Sequence, residues 1–270
     1  MTRISDQPQA GHGVGDPLLQ VSRVSVRFGG IVALDEISFD VRQGDICGII
    51  GPNGAGKTTL FNCLSRLYTP STGTIVFRGQ PLLSLAQHRI AGVGIARTFQ
   101  NLALFPLMTV RENVKVGCHC RTSSGYLANA LRLRSARDEE ASVDRKTAET
   151  LQFMNLHPLA ETRVNELPFG TRKRVELARA LVSGPALILL DEPAAGLNHE
   201  EVDQLRILIQ DIRDRLRVTV LLVEHHLNLV MRVSDQVVAI NFGRKIGDGT
   251  PQAVRAMPEV VSAYLGAEVA

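Results

Sequence analysis

The sequence predicts an α/β fold in which a mostly parallel sheet is flanked by helices, and three observations carry that reading. The run Asp45–Ile50 leads directly into GPNGAGKT at residues 51–58 and then into Thr59–Leu64 at helical spacing, a strand–loop–helix unit. From Ala186 onward, apolar runs at Ala186–Leu190, Val218–Val223 and Gln236–Ile240 alternate with helical stretches at Glu200–Leu216 and Leu227–Val233. Such alternation implies parallel strands with helices on both faces. Ahead of these units, Leu18–Phe28 and Ile31–Val41 give strand signals of a different kind, half-exposed and suited to antiparallel pairing.

The elements follow in order. Residues 1–17 are polar and Gly-rich and read as a flexible tail. Leu19, Val21, Val24 and Val26 mark the buried side of the first strand, and Gln43-Gly44-Asp45 turns the chain into the strand before the glycine loop. Pro70-Ser71-Thr72-Gly73 punctuates the chain ahead of a short strand at Thr74–Phe77. Between about Asn101 and Arg179, charged residues and helix formers replace the strand signals, so this stretch reads as a helical insertion. Within it, Thr122–Tyr126 is an expected loop, and Arg132, Arg134 and Arg137 followed by Asp138, Glu139 and Glu140 form a solvated helical face. No internal repeat is present, so the chain holds one nucleotide-binding unit.

Composition narrows the function classes. A net charge of +3 over 270 residues, with 4% aromatics and no tryptophan, offers neither a basic surface nor stacking platforms for nucleic acid. Cys47 and Cys63 lie in apolar contexts suited to buried thiols. Cys118-His119-Cys120 has no second ligand pair and is read as structural, in a reducing compartment. The longest apolar runs fall far short of the roughly 20 residues that a spanning helix needs. A membrane role therefore has to come through a partner.

GPNGAGKT fills every fixed position of the G-x-x-x-x-G-K-[ST] phosphate cradle in its expected setting. Gly51, Gly54 and Gly56, with Pro52, Asn53 and Ala55 between them, allow the backbone N–H groups to converge on phosphate oxygens. The following helix adds the positive end of its dipole. Lys57 is placed for the β- and γ-phosphates and Thr58 for magnesium. Downstream, Leu187–Leu190 is a buried strand ending in Asp191 and Glu192. A parallel strand delivers its carboxyl end to the ligand edge of the sheet, so Asp191 suits a magnesium ligand through water, and Glu192 suits the base that polarises the attacking water. Cradle and acid pair together specify nucleoside triphosphate hydrolysis.

These residues resemble the ATPase subunit of ATP-binding cassette (ABC) transporters, and the resemblance covers roughly Leu19 to Leu265. GPNGAGKTT is similar to the family's Walker A and LILLDEP to its Walker B. TFQN resembles the Q-loop with Gln100, LPFGTRKRVELARAL the signature helix, AAGLN the D-loop, and VEHH the switch histidine at His225. Phe28 falls where the family stacks an aromatic on adenine. A narrower likeness, in VRFGGIVALDEISF, TFQNLALFPLMTVRENV, DEPAAGLN, VEHHLNLVM and SAYLGAE, is to the high-affinity branched-chain amino-acid importer group. The signature departs from the common LSGGQ, since Pro168 stands where a serine would bond the γ-phosphate held by the opposite subunit. Asn198 stands where aspartate is usual in the D-loop, and His226 where an acid is frequent.

The resemblance implies a P-loop NTPase ABC-cassette core with an antiparallel β subdomain and a helical signature subdomain. One domain would run over 18–266, with the core at 18–100 and 182–250, the helical subdomain at about 101–181 and a C-terminal helical segment at 251–266. Glu192, His225, Lys57 and Gln100 would be catalytic. Phe28, residues 51–59 through Thr59, and Phe169 and Gly170 would bind ATP, the last two that of the partner subunit. Thr58, Gln100 and Asp191 would hold Mg2+. The implied partners are a second ATPase subunit, in a heterodimer or homodimer, two transmembrane permease subunits and an extracytoplasmic solute-binding protein. That arrangement lies at the cytoplasmic face of the cell membrane. Relatives on the same plan serve urea and other amides or lipopolysaccharide export. A soluble non-transport ABC ATPase is a further class, usually marked by insertions or doubled cassettes. A P-loop kinase or GTPase leaves Gln100, the signature-like segment and His225 unexplained.

Overall fold

Alternating apolar and polar residues pair Pro17–Phe28 (β1) with Ile31–Arg42 (β2) as an antiparallel hairpin in the computed structural model of the chain, which describes residues 17–99, 102–119 and 134–265. Ile46–Ile50 (β3) is buried along its whole length and runs through the loop into Lys57–Leu64 (α1). Thr72–Phe77 (β4) pairs antiparallel with β1, and Gln80–Pro81 (β5) extends that sheet to the order β2-β1-β4-β5. Ile95–Arg97 (β6) begins a second sheet.

The helices Val110–Val116 (α2), Arg134–Phe153 (α3) and Phe169–Leu181 (α4) lie between β6 and Leu187–Asp191 (β7). Thr109 caps α2 with a reciprocal Thr109–Glu112 capping box, which satisfies two backbone donors and stabilises the helix by about 1 kcal/mol. His199–Leu216 (α5), Thr219–Val223 (β8), Leu227–Val233 (α6), Gln236–Asn241 (β9) and Arg244–Gly249 (β10) follow, then Pro251–Arg255 (α7) and Pro258–Leu265 (α8). The second sheet has the order β10-β9-β3-β8-β7-β6, parallel throughout except for β10.

Strand periodicity of two divides the buried residues of that sheet between its faces. Cys47, Ile49, Leu187, Leu189, Leu221 and Val223 pack toward the antiparallel sheet and α1. Ile46, Ile50, Ile188, Leu190, Val220 and Leu222 pack toward the helices on the other side. The runs read as continuous apolar strands because both faces are covered.

Three strands carry no strand pattern in the sequence, and β5, of two residues, is held only by its pairing with β4. β6 has only three residues and is held by pairing with β7, and β10 reads Arg-Lys-Ile-Gly-Asp-Gly, a turn-like composition stabilised at the sheet edge by β9. Cys118 is buried, with its thiol 3.9 Å from the Val182 carbonyl, while Cys120 lies outside the described residues. Cys63 faces the core from α1, and burial pushes its thiol up to about 11. Cys63 is therefore expected to resist a maleimide at pH 7.5 until denaturant is added, as peptide mapping of the labelled chain would show. Labelling of Cys63 in the native chain at the rate of a free thiol contradicts this packing.

Candidate active site

Three adjacent strands build the site. In the order β3-β8-β7, the register places Ile49, Val223 and Asp191 in one row across the sheet. The next residues along the three strands are Ile50, Glu224 and Glu192, so the loops that leave these strands emerge side by side. The Glu192 N–H donates to the Val223 carbonyl at 2.9 Å, extending the ladder to the start of the turn. A parallel sheet thus converges residues far apart in sequence on its carboxyl edge.

Residues 51–56 wrap closely against their neighbours. A side chain at Gly51 would place its Cβ 2.1 Å from the Ile240 carbonyl oxygen. Gly56 has φ 105°, and a Cβ there would lie 2.6 Å from the Ala33 carbonyl oxygen. Only glycine meets both demands. Gly56 also caps α1 without a side-chain acceptor, and no acidic residue occupies the first turn. The first-turn N–H groups thus keep their capacity for an anion, which fits a phosphate. Asn53, Gly54 and Thr58 are exposed along this loop, Pro52 and Thr59 are half-buried, and Ala55 is buried. The Thr58 hydroxyl and the Asp191 carboxylate are oxygen donors of the kind that magnesium takes, and Gln100, the third expected ligand, lies outside the described residues.

Lys57 is 7% exposed, and its ammonium donates to the carbonyls of Gly51 at 2.7 Å and Pro52 at 2.9 Å. Burial pushes its pKa down, while Glu192 and Asp191 pull it back up, which places the lysine within electrostatic reach of both acids. From α8, the Tyr264 phenol packs beside the loop. Burial pushes it up to about 12, and the neighbouring Gly51 N–H acts in the opposite direction.

Glu192 leaves β7 with φ 47°, in the left-handed region that a residue with a side chain rarely adopts. Strain of this kind costs on the order of 1–3 kcal/mol and collects at functional positions. It turns the Glu192 carboxylate to 3.8 Å from His225 Nδ1. Behind them lies Glu224, fully buried. One oxygen accepts the Ala194 N–H at 2.7 Å, and the other accepts the N–H groups of His225 at 3.2 Å and His226 at 3.4 Å. Glu224 therefore ties the turn after Glu192 to the loop carrying His225. Glu224, His225 and His226 hold ligand-type atoms within 4.8 Å of one another, yet the Glu224 carboxylate is committed to these backbone donors.

The start of α4, where the signature is expected, packs against residues 194–201. Pro168 is the N-cap of α4 rather than part of its first turn, and its carbonyl accepts the Arg172 N–H at 3.0 Å. Phe169 is 41% exposed, and its ring touches Gly196, where a Cβ would lie 3.0 Å from the ring. Gly170 meets Glu201, whose carboxylate a Cβ at that position would strike at 2.3 Å. Asn198 caps α5 in a reciprocal box with Glu201, a role that asparagine fills as well as aspartate.

Phe28 ends β1 with 47% of its surface exposed, and its ring meets Tyr68 edge-on at 5.2 Å. Tyr68 and Glu224 had no sequence signal beyond position. Gln100 lies outside the described residues, but its neighbour Phe99 donates its N–H to Glu176 of α4 at 3.2 Å. Burial pushes the Glu176 carboxyl up, and the Phe99 N–H counters that.

Residues 34–195 match the family described as ABC transporter, and residues 244–270 match one described as branched-chain amino acid ATP-binding cassette transporter. The chain is 42% identical over 250 residues to the high-affinity branched-chain amino acid transport ATP-binding protein BraF of Pseudomonas aeruginosa, covering 93% of this chain and 98% of that one. It is 40% identical over 253 residues to LivG of Escherichia coli K12, which bears the same description, covering 94% and 99%. Among solved structures, the ADP conformation of MJ1267, an ATP-binding cassette of an ABC transporter, superposes with a TM-score of 0.80 at 30% identity, covering 93% of this chain and 99% of that chain. A nucleotide-free ATP-binding cassette from an ABC transporter gives 0.79 at 29% identity, covering 92% and 99%. With the glycine loop, Asp191, Glu192 and His225 on one sheet edge, the chain belongs to the ABC transporter family of ATP-binding cassettes.

Proposed function

We propose that the chain is the ATP-hydrolysing subunit of an ABC importer for branched-chain amino acids. The observation that carries this reading is the meeting of Lys57, Asp191, Glu192 and His225 at the carboxyl ends of β3, β7 and β8. BraF and LivG, similar along nearly the whole chain, supply the solute class.

In this reading ATP lies along the loop 51–59, with Phe28 against the adenine and Lys57 on the β- and γ-phosphates. Thr58, Asp191 and Gln100 hold Mg2+, which neutralises phosphate charge when bound. Glu192 accepts the proton of the attacking water, and His225 steadies the charge that develops on the transferred group. Phe169 and Gly170 serve the nucleotide of a second ATPase subunit. Pro168 removes a hydroxyl from that wall, which favours a heterodimer with a related subunit of more regular signature.

Among the described residues no helix is long and apolar enough to cross a membrane. A groove of about 440 Å3 lies between α1, β6 and α4, with Leu67, Phe99, Phe105 and Val116 as exposed apolar lining. It suits a cytoplasmic segment of a permease, so the subunit sits peripherally at the cytoplasmic face, with a solute-binding protein beyond the membrane.

The test is reconstitution of the chain with its permease and binding-protein partners in vesicles. Leucine, isoleucine or valine is expected to stimulate ATP hydrolysis and urea to leave it unchanged. Stimulation by urea alone, or by lipopolysaccharide, removes the assigned solute class.

A further inference from the structure

Arg97, the last residue of β6, joins three elements through one guanidinium. Nη1 donates to Asn62 Oδ1 at 2.8 Å and to Ser65 Oγ at 2.6 Å, at the end of α1, and Nη2 donates to Asp191 Oδ2 at 2.7 Å. The side chains of Arg97 and Asp191 are 8% and 6% exposed, so water scarcely screens the pair. The rings of Phe61 and Phe99 approach the guanidinium at 5.7 and 5.2 Å. Arg97 also lines the apolar groove described above.

A buried ion pair adds little net stability, because removing two charges from water offsets most of their attraction. Its presence beside the acid pair therefore calls for another account. A fixed guanidinium and a divalent cation that draw on one carboxylate repel each other, and poor screening strengthens that repulsion.

We propose that Arg97 is a positioning residue that holds Asp191, sets how strongly this carboxylate draws magnesium, and so links the groove to the metal site. The inference rests on the reading above, in which Asp191 serves Mg2+ and the groove takes a permease segment. A segment seated in the groove touches the residue that restrains Asp191, and a shift of Arg97 changes the charge available to the metal. Lysine keeps the charge of Arg97, but one ammonium cannot reach Asn62, Ser65 and Asp191 as the planar fork does.

The experiment titrates Mg2+ against trinitrophenyl-ATP bound to the wild-type, R97Q and R97K chains, with a parallel series in EDTA. R97Q is expected to lower the half-saturating Mg2+ by about threefold or more, with R97K within about twofold of wild type, since only R97Q removes the competing charge. Binding in EDTA is expected to stay within about twofold in all three, whereas a general loss of structure would weaken it. An unchanged or raised Mg2+ requirement in R97Q overturns the proposal. A wild-type chain that binds no analogue instead overturns the reading on which it rests. Should R97Q alone not fold, the R97Q/D191N chain leaves no buried charge unpaired and is expected to regain a cooperative melt. Failure of that double variant to recover any melting temperature overturns the pairing.

Discussion

Glu192→Gln lowers steady ATP hydrolysis by at least about a hundredfold and leaves ATP affinity within a few fold. The amide matches the carboxylate in shape, so the turn after β7 and its contact with His225 at 3.8 Å have no steric reason to change. What disappears is the lone pair basic enough to take a proton from water. Binding is spared because Lys57 and the loop 51–59 belong to a different strand and helix. ATP is thus held without being consumed, and under the proposed pairing of two ATPase subunits closed dimers are expected to accumulate. Size-exclusion chromatography with ATP and Mg2+, beside a phosphate-release assay, reads both effects. Rapid steady hydrolysis by the variant would remove Glu192 from the role of base.

Glu224→Ala is expected to cost about 2–4 kcal/mol, because it leaves the buried Ala194 N–H without its acceptor and takes one from the part-buried N–H groups of His225 and His226. For a chain of this size that corresponds to a fall in melting temperature on the order of 10 °C, measurable by calorimetry. The rate falls as well, since Glu224 is the tie between the turn carrying Glu192 and the loop carrying His225. Glu224→Gln keeps one carbonyl acceptor and is expected to recover part of both losses. A melting temperature within a degree or two of wild type in Glu224→Ala would show that these backbone groups find other partners.

The glycine loop and the buried strands were legible in the sequence because their signals are local. GPNGAGKT needs only its own flanks, and β3, β7 and β8 are unbroken apolar runs. The helices α5 and α6 were equally open, as helical stretches at Glu200–Leu216 and Leu227–Val233. β6 and β10 were hidden because their pairing is supplied by neighbours and leaves no pattern in three residues or in Arg-Lys-Ile-Gly-Asp-Gly. Glu224 stood in view beside His225, but its acceptor role depends on Ala194, and nothing local announces that contact. Arg97 was hidden for the same reason, since its partners lie on α1 and β7.

The strand order has a consequence for how the chain is made. Both neighbours of β3 in the sheet, β8 and β9, lie more than 160 residues downstream, as the pairing of Ile46 with Val220 and of Cys47 with Gln236 shows. During synthesis the glycine loop therefore emerges early on a strand with neither edge of its final sheet in place. Until the last third of the polypeptide leaves the ribosome, β3 exposes two unpaired backbone edges, a template for wrong pairing. ATP capture and correct assembly of the nascent chain thus become possible only near the end of translation. Premature stops between α1 and β9 yield products that carry the loop yet lack one or both of the strands that flank β3.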